Sequence, residues 1–145
     1  MQRKPNGAST DDAQDLGPEI TVTLTPAQAG LVAEQIAANF GARVEDLLRD
    51  CPTRESFDDA ERLIAKCHAV LAPIAWGEPS GNVELAYPRA GLVELAEYFY
   101  EAGADRLARP RDYDSSDIAG VREMGRSQIA TADAITAFES EAVTA

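Results

Sequence analysis

Very few side chains in this chain could carry chemistry. His68 is its one histidine, and Cys51 and Cys67 are its two cysteines. A carboxylate-bridged di-iron bundle needs Glu-x-x-His pairs on two helices. Position 65 is alanine and no second histidine exists, so ligand count excludes that chemistry. Cys67 and His68 are adjacent, and helix neighbours point about 100° apart, which makes a poor chelate. Cys51 belongs to a turn, and Cys67 lies about 13 residues into the next helix, near 20 Å away at about 1.5 Å per residue. That is far beyond the roughly 7 Å Cα separation a disulfide tolerates. Cys67 therefore reads as a small buried hydrophobe. Cys51 is the more accessible thiol, without the helix N-terminus that would activate it.

Nucleophile and phosphate motifs are missing. The sequence contains no Gly-x-Ser-x-Gly, no P-loop and no strand followed by Gly-x-Gly-x-x-Gly. Carboxylate neighbours such as Glu45-Asp46 and Asp58-Asp59 splay apart on a helix and read as solvated faces. Asp112, Asp114 and Asp117 superficially resemble a calcium loop, with Glu123 in twelfth place, but Asp117 stands where such a loop needs glycine. Helix capping is the better use of those carboxylates. No cofactor and no metal are expected, and no catalytic residue emerges.

The most pointed hint is aromatic. Tyr98, Phe99 and Tyr100 are consecutive and span about 200° of a helix. Phe99 and Tyr100 fit the apolar stripe. Tyr98 falls with Glu94, Glu101 and Asp105 on the face that should meet solvent. A tyrosine on an acidic face is an interface anchor of the kind proteins use. Trp76, just before the Gly77 turn, is a second candidate for such a contact, or a cap on the end of the core.

These residues must be positioned by helices. The stretch VTLTPAQAGLV at Val22 to Val32 returns as VELAYPRAGLV at Val83 to Val93. Each copy alternates like a half-buried strand, meets a proline and opens a helical pattern. Thr25 offers an N-cap and Pro26 a first-turn residue. The first helix is expected to about Asp50, with Val32, Ile36, Phe40, Val44 and Leu47 inward. After Cys51-Pro52-Thr53, a second helix buries Phe57, Ala60, Ile64, Cys67, Leu71 and Ile74. Residues 77 to 82 form a turn-rich linker. The third helix, opened by Pro88, buries Leu92, Leu95, Ala96, Phe99 and Gly103, widened by Tyr100. The fourth carries Ile118, Val121, Gly125, Ile129, Ala132, Ile135 and Phe138. The fold class is therefore mainly α: a four-helix antiparallel bundle built from two β-α-α units, with a small two-stranded ribbon. Residues 1–18 read as a disordered arm, 19–140 as a single helical domain with units 19–76 and 82–140, and 141–145 as a flexible end.

Length and charge narrow the function. The 145 residues suffice for one core. No apolar run is long enough for a membrane span, and the first residues lack the apolar stretch of a secretory signal. Two cysteines make no disulfide framework, so a cytoplasmic location is expected. The net charge is −12, spread along the folded part. It disfavours direct nucleic-acid binding and an anionic membrane surface. Alanine contributes 26 residues, which favours helix but supplies little apolar area each, so a second copy could complete the core as a homodimer.

Three functions follow. The first is a non-catalytic accessory or regulatory subunit that binds a protein partner. The second is an inhibitor or antitoxin-like protein offering its acidic surface to a basic, nucleic-acid-binding partner. The third is a small-molecule binder, or an enzyme with a site at a dimer interface, where Arg89, Arg106, Arg111 and Arg122 would be the first anion ligands to test.

Overall fold

A computed structural model describes residues 18–75 and 81–139 of the chain. Along the chain run β1 (Glu19–Leu24), α1 (Pro26–Leu48), α2 (Arg54–Ala75), β2 (Val83–Pro88), α3 (Arg89–Ala108), a 3-10 turn (Pro110–Asp112) and α4 (Ile118–Ile135). The fold class is the expected one, mainly helical with four long helices and one two-stranded antiparallel sheet. Val22, Leu24, Val83 and Leu85 are buried and alternate with exposed Thr21, Thr23, Glu84 and Ala86, the period-two pattern of a one-sided strand. The repeated motif thus makes the same strand-to-helix passage twice. None of the described helices is long and apolar enough to cross a membrane.

The chain divides into two compact units. One is Leu24–Leu85, and the other joins residues 18–23 to 86–139.

In the first, Thr25 accepts from Gln28 N at 3.2 Å, and the Gln28 side chain accepts from Thr25 N at 3.0 Å. This reciprocal capping box starts α1, with Pro26 in its first turn. Ala29, Val32, Ile36 and Phe40 are buried at helical spacing. α1 ends at Leu48, earlier than expected, because Asp50 (φ 53°) and Cys51 (φ 40°) turn the chain through left-handed backbone. Aspartate tolerates that region better than most residues. Thr53 then caps α2, accepting from Ser56 N at 3.1 Å while Ser56 Oγ accepts from Thr53 N at 3.2 Å.

The expected core stripe of α2 needs correction. Ala60 and Leu63 are its buried residues, whereas Phe57 is 54% and Ile64 44% exposed. α1 covers the side of α2 that bears Leu63, and one neighbouring helix covers only a narrow strip. Phe57 and Ile64 fall at its edge, and Cys67, Leu71 and Ile74 are half-buried. Trp76 and the linker from Gly77 to Ser80 lie outside the described residues.

In the second unit, Leu92, Leu95, Ala96, Phe99 and Gly103 are buried on α3 as the periodicity implies. Tyr100 is a correction: it is 39% exposed, and its hydroxyl donates to Asp133. A phenol whose O–H finds a carboxylate at the rim has less reason to enter the core. Asp117 is the N-cap of α4, its side chain accepting from Gly120 N at 3.0 Å, so capping is the role of that carboxylate. Asp114 likewise accepts from Ser116 N at 3.0 Å and from its hydroxyl at 2.6 Å. α4 ends at Ile135, before Phe138, and its buried set includes polar Gln128 and Thr131. Thr131 is satisfied by donating to Ser127 O at 2.7 Å.

α3 and α4 meet at two glycines. A Cβ on Gly103 would lie 2.6 Å from the Gly125 carbonyl oxygen, and one on Gly125 would lie 2.9 Å from that of Gly103. The backbones touch there, as only glycine allows.

Candidate protein-binding site on the third helix

The outer face of α3 carries Glu94, Glu97, Tyr98, Glu101 and Asp105 at helical spacing. Tyr98 is 45% exposed, held edge-on to buried Phe99 with ring centroids 5.3 Å apart. Anchoring one edge of a ring fixes the other at low entropic cost. Just C-terminal of Tyr98 the face opens into a shallow groove of about 780 Å³, lined by Tyr98, Glu101, Ala102, Asp105, Arg109 and Tyr113 among others. Ala104 and Ala108 join Ala102 in lining it, small side chains that leave space larger ones would fill.

Tyr113 and Arg109 are lining residues that sequence reasoning missed. Tyr113 is the less expected of the two. It leaves α3 through the 3-10 turn, folds back and donates its hydroxyl to Asp105. The Arg106 guanidinium lies over its ring, 4.4 Å from the centroid, within cation–π range. Arg109 closes the cluster by donating from Nε to Asp105 at 2.9 Å. Arg106 also reaches inward to the Gln128 amide oxygen at 3.2 Å, which ties the groove wall to the buried polar group of α4. Pro110 is buried beneath the turn. The only sequence signal for Tyr113 was its place between two helix ends, and nothing in the periodicity says that a loop folds back.

The charges of the cluster are mutually satisfied. Hydrogen bonds from Tyr113 and then Arg109 hold the Asp105 carboxyl below its usual range. The same contact with Asp105 raises the Tyr113 phenol. The bond to Asp133 raises Tyr100 in the same direction. A raised phenol favours the neutral form in the folded chain, so this contribution to stability is intact below the ordinary tyrosine range and fades as pH climbs through the raised value. Titrating phenolate absorbance should therefore show Tyr100 and Tyr113 ionising above ordinary tyrosine. Unfolding in urea should remove the delay, and Tyr113→Phe should delete one late component. An ordinary titration of both would contradict the contacts.

Farther along, Glu94, Glu97 and Glu101 form no ion pair or hydrogen bond among the described residues. The arginines of α3 and its C-cap are engaged elsewhere, Arg89 over the Phe138 ring at 5.3 Å and Arg106 and the C-cap Arg109 as above. The structure thus brings Tyr98, Glu101 and Asp105 to one groove and leaves Glu94 on the exposed face beyond it. Trp76 lies outside the described residues.

The other candidates disperse. Arg111 and Arg122 are exposed, and Arg89 and Arg106 sit on separate aromatic rings. Cys51 and Cys67 are free thiols, and burial pushes Cys67 up. Among the described residues no three His, Cys, Asp or Glu side chains gather as a metal-holding group. No protein-family model, curated protein or solved structure matches the chain.

Proposed function

We propose that this protein is a non-catalytic accessory or regulatory subunit that docks a basic segment of a protein partner on the outer face of α3. The observation that carries this reading is the groove flanked by two half-exposed tyrosines, Tyr98 and Tyr113, beside carboxylates that no cation of the described chain neutralises. Tyrosine supplies large rigid contact area with a polar tip, and such rings dominate interface energetics. Lysine or arginine from a partner would meet Glu94, Glu97 and Glu101 as charge partners and the tyrosine faces as cation–π partners.

The same unpaired carboxylates support a second reading, an inhibitor or antitoxin-like protein whose acidic surface covers a basic nucleic-acid-binding site. Salt separates the two. A partner docked on the aromatic groove should weaken with salt yet keep measurable binding, because the tyrosine contact is apolar. One held by long-range charge should be lost as the ionic strength rises.

The test is quantitative capture with the wild-type chain and with Tyr98→Ala, side by side. For a partner docked on the groove, Tyr98→Ala should cost about 2 kcal/mol, roughly thirtyfold in Kd. Equal capture of the same protein by both would refute the site. Because Tyr98 is half exposed, the variant should keep its fold, which circular dichroism checks.

A further inference from the structure

We infer that α2 carries a second, self-complementary surface and that its occupant is a second copy of this chain. The starting point is the misplaced stripe. Among the described residues of the unit Leu24–Leu85, Phe57 and Ile64 are the two large apolar side chains left exposed. Both lie on one line of α2 that reads Phe57, Glu61, Ile64, His68, Leu71. At 3.6 residues per turn these five positions fall within about 80° of arc.

Their order is close to palindromic about Ile64. Phe57 and Leu71 stand seven residues to either side. Glu61 and His68 stand three and four residues away on opposite sides. Antiparallel pairing of two α2 helices around a two-fold axis at Ile64 therefore matches Ile64 with Ile64, Phe57 with Leu71, and Glu61 with His68, each hetero-pair occurring twice. A two-fold interface requires this kind of self-complementarity.

The charge pattern selects this occupant. Glu61 and His68 are exposed and have no ion pair or hydrogen bond among the described residues. An imidazole N–H can donate to a carboxylate in either protonation state, so each meets its complement in a second copy. The face is otherwise uncharged, which matters for a chain of net charge −12, since a strongly acidic protein repels itself across most surfaces.

Beside the stripe, α1 and α2 leave a cleft of about 240 Å³ lined by Phe40, Gly41, Val44, Ile64, Cys67 and His68. A Cβ on Gly41 would meet nothing within 4 Å. That open apolar recess leaves room for the partner's side chains without moving the backbone. These residues are different from those of the α3 groove, and the inference stands without the proposed function.

Sedimentation velocity on the full chain over a range of concentrations tests it. The wild type should form a dimer. Ile64→Asp places two carboxylates on the axis, and His68→Glu sets acid against Glu61. Each should weaken the dimer by roughly tenfold or more, since like charges at an interface are strongly unfavourable. The double variant Glu61→Lys/His68→Glu restores opposite charges and should regain the dimer. The substituted positions are exposed, and circular dichroism verifies that each variant folds. A chain monomeric throughout, a dimer indifferent to the single changes, or a failure of the double variant to rescue would each overturn the assignment.

Discussion

Replacing Leu92 with alanine is expected to cost about 2–5 kcal/mol of folding stability, the range of well-buried leucine truncations. Leu92 is fully buried in α3. Its unit buries few other large apolar side chains, chiefly Leu95, Phe99 and Ile135, and several of its buried positions are glycine or alanine. Small residues cannot swing into a hole, so the cavity should persist and the cost should sit high in the range. Phe57→Ala is the matched control. Simple periodicity would rank it with Leu92, yet in the single chain more than half of Phe57 already meets water, so at concentrations that keep the chain monomeric its loss should be under about 1 kcal/mol. Urea unfolding measures both, and comparable losses would contradict the placement of α2.

The second large effect is at the glycine crossing. Alanine inside a helix is worth up to about 1 kcal/mol over glycine, so Gly→Ala in α1, α3 or α4 should stabilise if propensity alone mattered. At Gly30 the added Cβ would meet nothing within 4 Å, and Gly30→Ala should gain about 0.5–1 kcal/mol. At Gly103 the same carbon would lie 2.6 Å from a backbone oxygen and 2.8 Å from Ile129 Cγ1. The isoleucine can rotate, but the carbonyl cannot leave without bending α4. Overpacking of this kind costs about 1–3 kcal/mol, more than the propensity gain, so Gly103→Ala should destabilise. Thermal unfolding of the two variants should therefore shift in opposite directions. A stabilised Gly103→Ala would mean that α3 and α4 are farther apart than described.

Much of the architecture could be read from local sequence because local physics specifies it. Thr25, Pro26 and Gln28 start α1 through contacts three residues long. Asp117 caps α4 in the same way. Val22, Leu24, Val83 and Leu85 mark one side of the ribbon by alternation alone. On α3, Leu92, Leu95, Ala96 and Phe99 follow a helical period and are buried together. Tyr98 stands off that period, so its exposure was implied by its neighbours. Each of these depends on residues within a turn or two of one another.

Three features depended on tertiary structure. Which strip of α2 is covered was decided by the side that α1 packs against, and a difference of one helical position moved burial from Ile64 to Leu63. Tyr113 joined Asp105 because a turn of non-periodic residues folds back over α3, a path that hydrophobic spacing does not encode. Gln128 is buried where Arg106, 22 residues earlier in the chain and on another helix, donates to its amide oxygen, whereas Thr131 is satisfied within its own helix by Ser127 O. A polar residue in a sequence carries no mark of whether its partner will be water or protein. The sequence alone therefore determined the helices and their inward stripes, since propensity, capping and period act along the chain. The groove arose where the turn after α3 folds back onto it, and the exposed stripe arose because α1 covers one side of α2 and leaves the other uncovered.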